Sequence, residues 1–131
     1  MRIMIDTNIL ISALFFPRSR VSAFLKSIMD AHSICIASFS ITEMKRVAER
    51  KFPIEAETVD ILLDELSYEL LRTPHTMPDL PKIRDVDDRP ILASAILADV
   101  DILLTGDKDF DDVVIERPII MTPAQFSAAY L

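Results

Sequence analysis

A short apolar run, Ile3-Met4-Ile5, ends abruptly in a carboxylate at Asp6 and resumes as Ile9-Leu10-Ile11. The run fits a buried strand carrying one acid at its carboxyl end. Chains that alternate such strands with helices form parallel sheets, and ligands gather where the strands end. Glu43, Asp88 and the pair Asp107/Asp109 stand in the same way at the edges of later apolar elements. Taken singly, each has an ordinary structural explanation. Asp-x-Asn after a strand is a common turn or helix cap. Asp6 gains chemical meaning only in the company of the other acids.

Strand-like and helix-like stretches alternate along the chain. Asn8 to Phe15 reads as a short helix stopped near Pro17, and from Val21 the residues Phe24, Leu25, Ile28 and Met29 recur at helical spacing. Ser33 to Ala37 reads as a second strand, followed by Ser40-Ile41-Thr42-Glu43 with the serine-to-glutamate spacing of a capping box. Past Pro53, a helical stripe of Val59, Leu62, Leu63, Leu66 and Leu70 suits a core or a dimer surface, and Leu70 to Arg72 suits a short strand. His75 to Lys82 is an irregular loop punctuated by Pro78 and Pro81. Ile91 to Ala98, apolar on all sides, predicts a helix buried against the sheet, with Pro90 in its first turn. Asp101 to Leu104 and Pro118 to Met121 read as strands, and Thr122-Pro123 opens a last helix through Phe126 to Leu131. The 131 residues are enough for a single domain, 1–131, around one largely aliphatic core.

Composition removes several functions. The chain has one glycine, Gly106, so phosphate-cradling glycine loops, dinucleotide fingerprints and the serine-hydrolase elbow are all excluded. One cysteine and two isolated histidines, His32 and His75, do not make a zinc site. Cys35, inside Ile34-Cys35-Ile36, suits packing and a reducing cytoplasm. No apolar run reaches the roughly 20 residues of a membrane helix, and Asp6 and Asn8 interrupt the first one, against a signal peptide. The formal charge of −7 opposes nucleic-acid binding, unless divalent ions on converging carboxylates reverse the local sign.

The acids themselves carry more. Arg46 and Arg50 lie within about 60° of Glu43 around a helix, an arrangement fit for a metal–phosphate site or for a solvated ion-pair face. Asp85, Asp87 and Asp88 crowd the start of the apolar helix, where its dipole favours acids but a cation would relieve their repulsion. The run from Asp107 begins like a calcium loop, yet its sixth position is Asp112 and its twelfth Pro118, which rules that motif out. A parallel sheet would bring Asp6, Glu43, Asp88 and Asp107 to one edge. Such a cluster is a natural holder of Mg²⁺ or Mn²⁺, and phosphodiester hydrolysis is a common use of one.

The ordered set Ile5-Asp6-Thr7-Asn8-Ile9-Leu10-Ile11-Ser12-Ala13-Leu14, Ser40-Ile41-Thr42-Glu43, Arg84-Asp85-Val86-Asp87-Asp88, Thr105-Gly106-Asp107-Lys108-Asp109-Phe110 and Thr122-Pro123-Ala124-Gln125-Phe126 resembles the PIN-domain ribonucleases. Within them it is similar to the VapC-like toxins. The likeness spans the chain; it departs at Arg89, where a neutral or acidic residue is commoner, and in a compact segment after Glu43. It implies a three-layer α/β fold with a central parallel sheet flanked by helices. It also implies a cytoplasmic homodimer, endoribonuclease activity with Mg²⁺ or Mn²⁺, and an antitoxin partner that blocks the site. Carried onto this sequence, Asp6, Glu43, Asp88 and Asp107 would be catalytic and metal-binding. Asp109 would be an alternative or additional ligand, Asn8, Thr105 and Asp85 supporting groups, and Arg46, Arg50 and Arg89 substrate contacts.

Two other readings compete. A non-catalytic PIN-like module would keep fold and acids but act through protein or RNA contacts, for instance along the Val59/Leu66/Leu70 stripe. An aspartyl phosphotransfer protein would use Asp6 as acceptor.

Overall fold

The apolar runs become strands, and every strand pairs in parallel with its neighbours. The structure, a computed structural model, describes residues 1–131. It contains β1 (Arg2–Ile5), α1 (Thr7–Phe15), α2 (Arg20–Ala31), β2 (Ser33–Ala37), α3 (Ser38–Lys51), α4 (Ala56–Asp64) and β3 (Tyr68–Leu71). Then follow α5 (Arg89–Leu97), β4 (Ile102–Leu104), β5 (Ile119–Met121) and α6 (Pro123–Tyr130). The strands form one sheet in the order β3-β2-β1-β4-β5. Register sets Ile3 beside Ile34 on one side and beside Ile102 on the other. The expected α/β fold, a parallel sheet between helical layers, is the one observed.

Side chains alternate across a strand, and that alternation divides the core in two. Ile3 and Ile5 of β1 face a cluster with Ile34, Ile36, Ile102 and Leu104, covered by Leu10, Leu25, Ile28, Met44, Val59, Leu63 and Phe126. Met4, from the same strand, faces the opposite cluster with Cys35, Leu71 and Leu103, covered by Ile83, Ile91, Leu92 and Phe110. Ile3, Met4 and Ile5 are all 0% exposed, which is why their run shows no polar alternation. Cys35 is free and buried, and desolvation pushes its thiol up to about 11, consistent with packing.

Three local expectations are corrected. The capping box does not form: α3 begins earlier, at Ser38, with Ala37 at its N-cap and no side-chain cap. Ser40 is instead 0% exposed inside the helix, where its Oγ accepts a 2.8 Å hydrogen bond from Thr7 Oγ1. The leucine stripe is not one helix. α4 ends at Asp64, Leu66 packs on the first core, and Leu70 lies on β3, 46% exposed. The third strand starts at Tyr68, two residues before the expected Leu70. Val59 and Leu63 are core residues, since β2 to β3 is a crossover whose α4 must cover the sheet.

The chain steps outward from β1 to β2 and β3, then jumps back across β1 to β4 and β5. That reversal opens a crevice at the carboxyl ends of β1 and β4, the place where such sheets bind ligands.

The two exposures along α5 give a direct test of its packing. Leu92 is 0% and Leu97 58% exposed. Leu92→Ala should cost about 2–5 kcal/mol in urea denaturation, and Leu97→Ala no more than about 0.5 kcal/mol.

Candidate active site

Asp6 sits at the crevice because β1 ends there and α1 begins. It is the N-cap of α1, and its Oδ1 accepts from the Thr7 backbone N–H at 2.7 Å. Its Oδ2 accepts from Thr105 Oγ1, also at 2.7 Å, just past the end of β4. Asp6 is 6% and Thr105 2% exposed. Burial raises the Asp6 pKa; the Thr105 and Thr7 bonds oppose the rise, and Asp107 adds to it by like-charge repulsion.

Thr105 Oγ1 also accepts from the backbone N–H of Asp107 at 3.0 Å, and Asp107 Oδ1 accepts from the N–H of Asp109 at 2.9 Å. Asp107 thus caps a single 3₁₀ turn, Lys108–Phe110, with Phe110 anchored in the second core. A matching turn, Val86–Asp88, is capped by Asp85 and runs directly into α5. Asp88 is therefore presented at the start of α5, but its side chain makes no capping bond.

A cleft of about 480 Å³ collects these groups: Asp6, Asn8, Glu43, Arg46, Asp88 and Asp107 all line it. The four acids expected at one edge do face one cavity. Glu43 is ion-paired there with Arg46, its neighbour one helical turn on. The tightest convergence, however, is a different trio: carboxylate oxygens of Asp85, Asp88 and Asp109 all lie within 4.8 Å of one another. Asp109 thus stands beside Asp88 in addition to Asp107, because the capped turn at Asp107 folds it back.

Asp88 bears the electrostatic load. Its Oδ2 is buried with no hydrogen-bond partner. Desolvation, followed by repulsion from Asp107, Asp85, Asp6 and Asp109, raises its pKa to about 7. An orphaned carboxylate oxygen facing four other acids is a donor set made only of hard oxygens, and it fits Mg²⁺ or Mn²⁺. Asp6, Asp88 and Asp107, with Asp85 and Asp109 beside them, are the residues that could hold such an ion.

The other candidates are placed less centrally. Arg50 is exposed on α3 and does not line the cleft. Arg89 lines a separate hollow formed with the loop from Met77 to Ile83. Three residues escaped the sequence reading as site residues: Thr7 and Asp87, which line the cleft, and Arg84, whose Nη1 lies 3.8 Å from Asp109 Oδ1. Arg84 was visible beside Asp85, but its pairing with a loop many residues later was not.

A parallel sheet between helices, with carboxylates gathered where its central strands end, defines the class: an α/β protein with an acidic site at its topological switch point. The family follows from the sequence itself, since a model described as the PIN domain matches residues 2–109, and the chain belongs to that family. No curated protein matches the chain in sequence. Among solved structures, the crystal structure of VapBC2 from Rickettsia felis bound to a DNA fragment from their promoter is similar in fold. The match covers 93% of this chain and 98% of that one, with a TM-score of 0.66 and 16% identity.

The Asp88 shift has a stability consequence with a definite sign. A carboxyl group whose folded pKa is raised binds its proton more tightly folded than unfolded. Stability is therefore lost as pH rises from about 4, the ordinary carboxylate value, to about 7. Asp88→Asn removes that loss. In EDTA, the variant should gain in Tm relative to wild type on going from pH 5 to pH 8. An unchanged Tm difference across that range would contradict the raised pKa.

Proposed function

We propose that the protein is a Mg²⁺- or Mn²⁺-dependent endoribonuclease, a hydrolase of RNA phosphodiester bonds acting at the cleft between α1, α3 and α5. The supporting observation is Asp88 Oδ2, a buried oxygen without a partner amid Asp6, Asp85, Asp107 and Asp109. A non-catalytic module gains nothing from such an arrangement, whose mutual repulsion costs stability. We further propose, from the VapC-like resemblance and the fold shared with VapBC2, that it is the cytoplasmic toxin of a toxin–antitoxin pair. On that reading it works as a homodimer and is held inactive by its antitoxin. No helix is long and apolar enough to cross a membrane.

When bound, a divalent ion supplies Lewis-acid polarisation of the phosphate and acidifies a water. The chain's own residues prepare for it. Thr105 and the Thr7 amide fix the Asp6 carboxylate before any ligand arrives, so no reorganisation is needed. Asp107 is steadied by the Asp109 amide. Asp88, its pKa pushed up to about 7 by burial and the neighbouring acids, would give up its proton to a bound cation, so affinity should rise with pH. Glu43, paired with Arg46 at the cleft, would help orient a water, and the Arg46 guanidinium would offer a contact to phosphate in a protein of net charge −7.

The test compares wild type with Asp6→Asn on single-stranded RNA, in Mn²⁺ and in EDTA. Asparagine keeps an oxygen to cap Thr7, so the variant should fold. Its cleavage rate should fall by a factor on the order of 10² to 10⁴, and wild type should be inactive in EDTA. Mn²⁺ should also raise the wild-type Tm. Undiminished cleavage by Asp6→Asn protein free of contaminating nuclease would overturn the proposal.

A second measurement concerns Asp88 alone. The affinity of wild type for Mn²⁺ should increase from pH 6 to pH 8, with protons released on binding, as isothermal titration in buffers of different ionisation enthalpy would reveal. A pH-independent affinity would remove Asp88 from the site.

A further inference from the structure

Arg84 lies outside the cleft lining, yet it touches both loops that carry the outer acids. It directly precedes Asp85, which caps the turn Val86–Asp88. Its guanidinium is paired with Asp112, and its other arm lies 3.8 Å from Asp109 Oδ1. It is the one basic side chain paired with any member of the Asp85, Asp88 and Asp109 trio. In the core, Ile83 and Phe110, one from each loop, both belong to the second apolar cluster. The loops thus share an apolar cluster and are bridged by an arginine.

We propose that Arg84 is a positioning residue that clamps these loops together and presents Asp109 beside Asp88; this rests on the reading of the cleft as a metal centre. The shorter pairing with Asp112 anchors the guanidinium. The longer one limits where Asp109 can go without occupying its oxygens. A planar fork that reaches two carboxylates suits this task, and a point charge does not.

Removing Arg84 has two opposite effects on cation binding. Loss of its positive charge favours a cation, whereas loss of the clamp lets the ligand-bearing turns drift apart. Arg84 is 54% exposed, so solvent and salt screen its charge. The clamp rests on a direct hydrogen bond from Arg84 to Asp112 and is screened less than longer-range repulsion of a cation, so the second effect prevails.

The experiment measures Mn²⁺ affinity and amide hydrogen exchange for wild type, Arg84→Ala, Arg84→Lys, Asp112→Ala and the double alanine variant. Arg84→Ala should weaken Mn²⁺ binding about tenfold, as loss of an outer-shell partner does. It should also speed exchange in residues 84–88 and 107–112 together. The double variant should be no worse than Arg84→Ala, because both substitutions break one device. Arg84→Lys should stay impaired. Tighter Mn²⁺ binding by Arg84→Ala, full rescue by lysine, or unchanged exchange would each overturn the clamp. Should wild type bind no Mn²⁺ at all, the metal-centre reading falls, and the exchange data alone still decide whether Arg84 joins the two loops.

Discussion

The hydrogen bond from Thr105 Oγ1 to Asp6 Oδ2 connects residues 99 positions apart and is the contact through which the acidic edge is built. Burying a carboxylate is costly unless its oxygens are bonded, and Asp6 has both bonded, from two elements at once. The bond ties the end of β1 to the end of β4, where the order of the sheet reverses. From Thr105 the same hydroxyl receives the Asp107 amide, and Asp107 in turn receives the Asp109 amide. One chain of hydrogen bonds therefore leads from Asp6 through Thr105 and Asp107 to Asp109, and each step orients the next.

Elsewhere the molecule is conventional in its energetics. Two apolar clusters on either face of the sheet supply the burial, and the surface ion pairs contribute little. The acidic edge runs the other way: several carboxylates share a cleft, and one buried oxygen has no partner. Structures retain such local strain where function demands it and offset it by stability elsewhere. The placement of the strain, at the switch point and not on an arbitrary face, is what links the electrostatics to the proposed chemistry.

The likeness in fold to VapBC2 at 16% identity shows how little of the sequence the architecture needs. Here the outer acids, Asp85 and Asp109, are drawn close to Asp88 by two capped turns, and Arg84 spans them.

Much of this was legible from residue order. Strands β1, β2 and β4, the buried helix α5, and the Thr122 cap of α6 follow from short-range patterns, because burial on both faces and capping leave local traces. Asp6 and Asp107 do follow apolar strands and Asp88 precedes α5, whereas Glu43 lies within α3, which starts five residues earlier. Other features depended on tertiary contact. Ser40 looked like a cap, but it lies within α3 because the chain turns into that helix at Ala37, and its hydroxyl meets Thr7 instead. The leucine stripe was cut by a strand that only sheet pairing could define. Likewise, the closeness of Asp85 to Asp109, the isolation of Asp88 Oδ2 and the reach of Arg84 to Asp112 arise from folding two distant loops against each other. Residue order alone determined which groups carry charge and which elements bear them. The tertiary fold decided which of those charges meet, because distances between side chains on different loops are set by the packing beneath them.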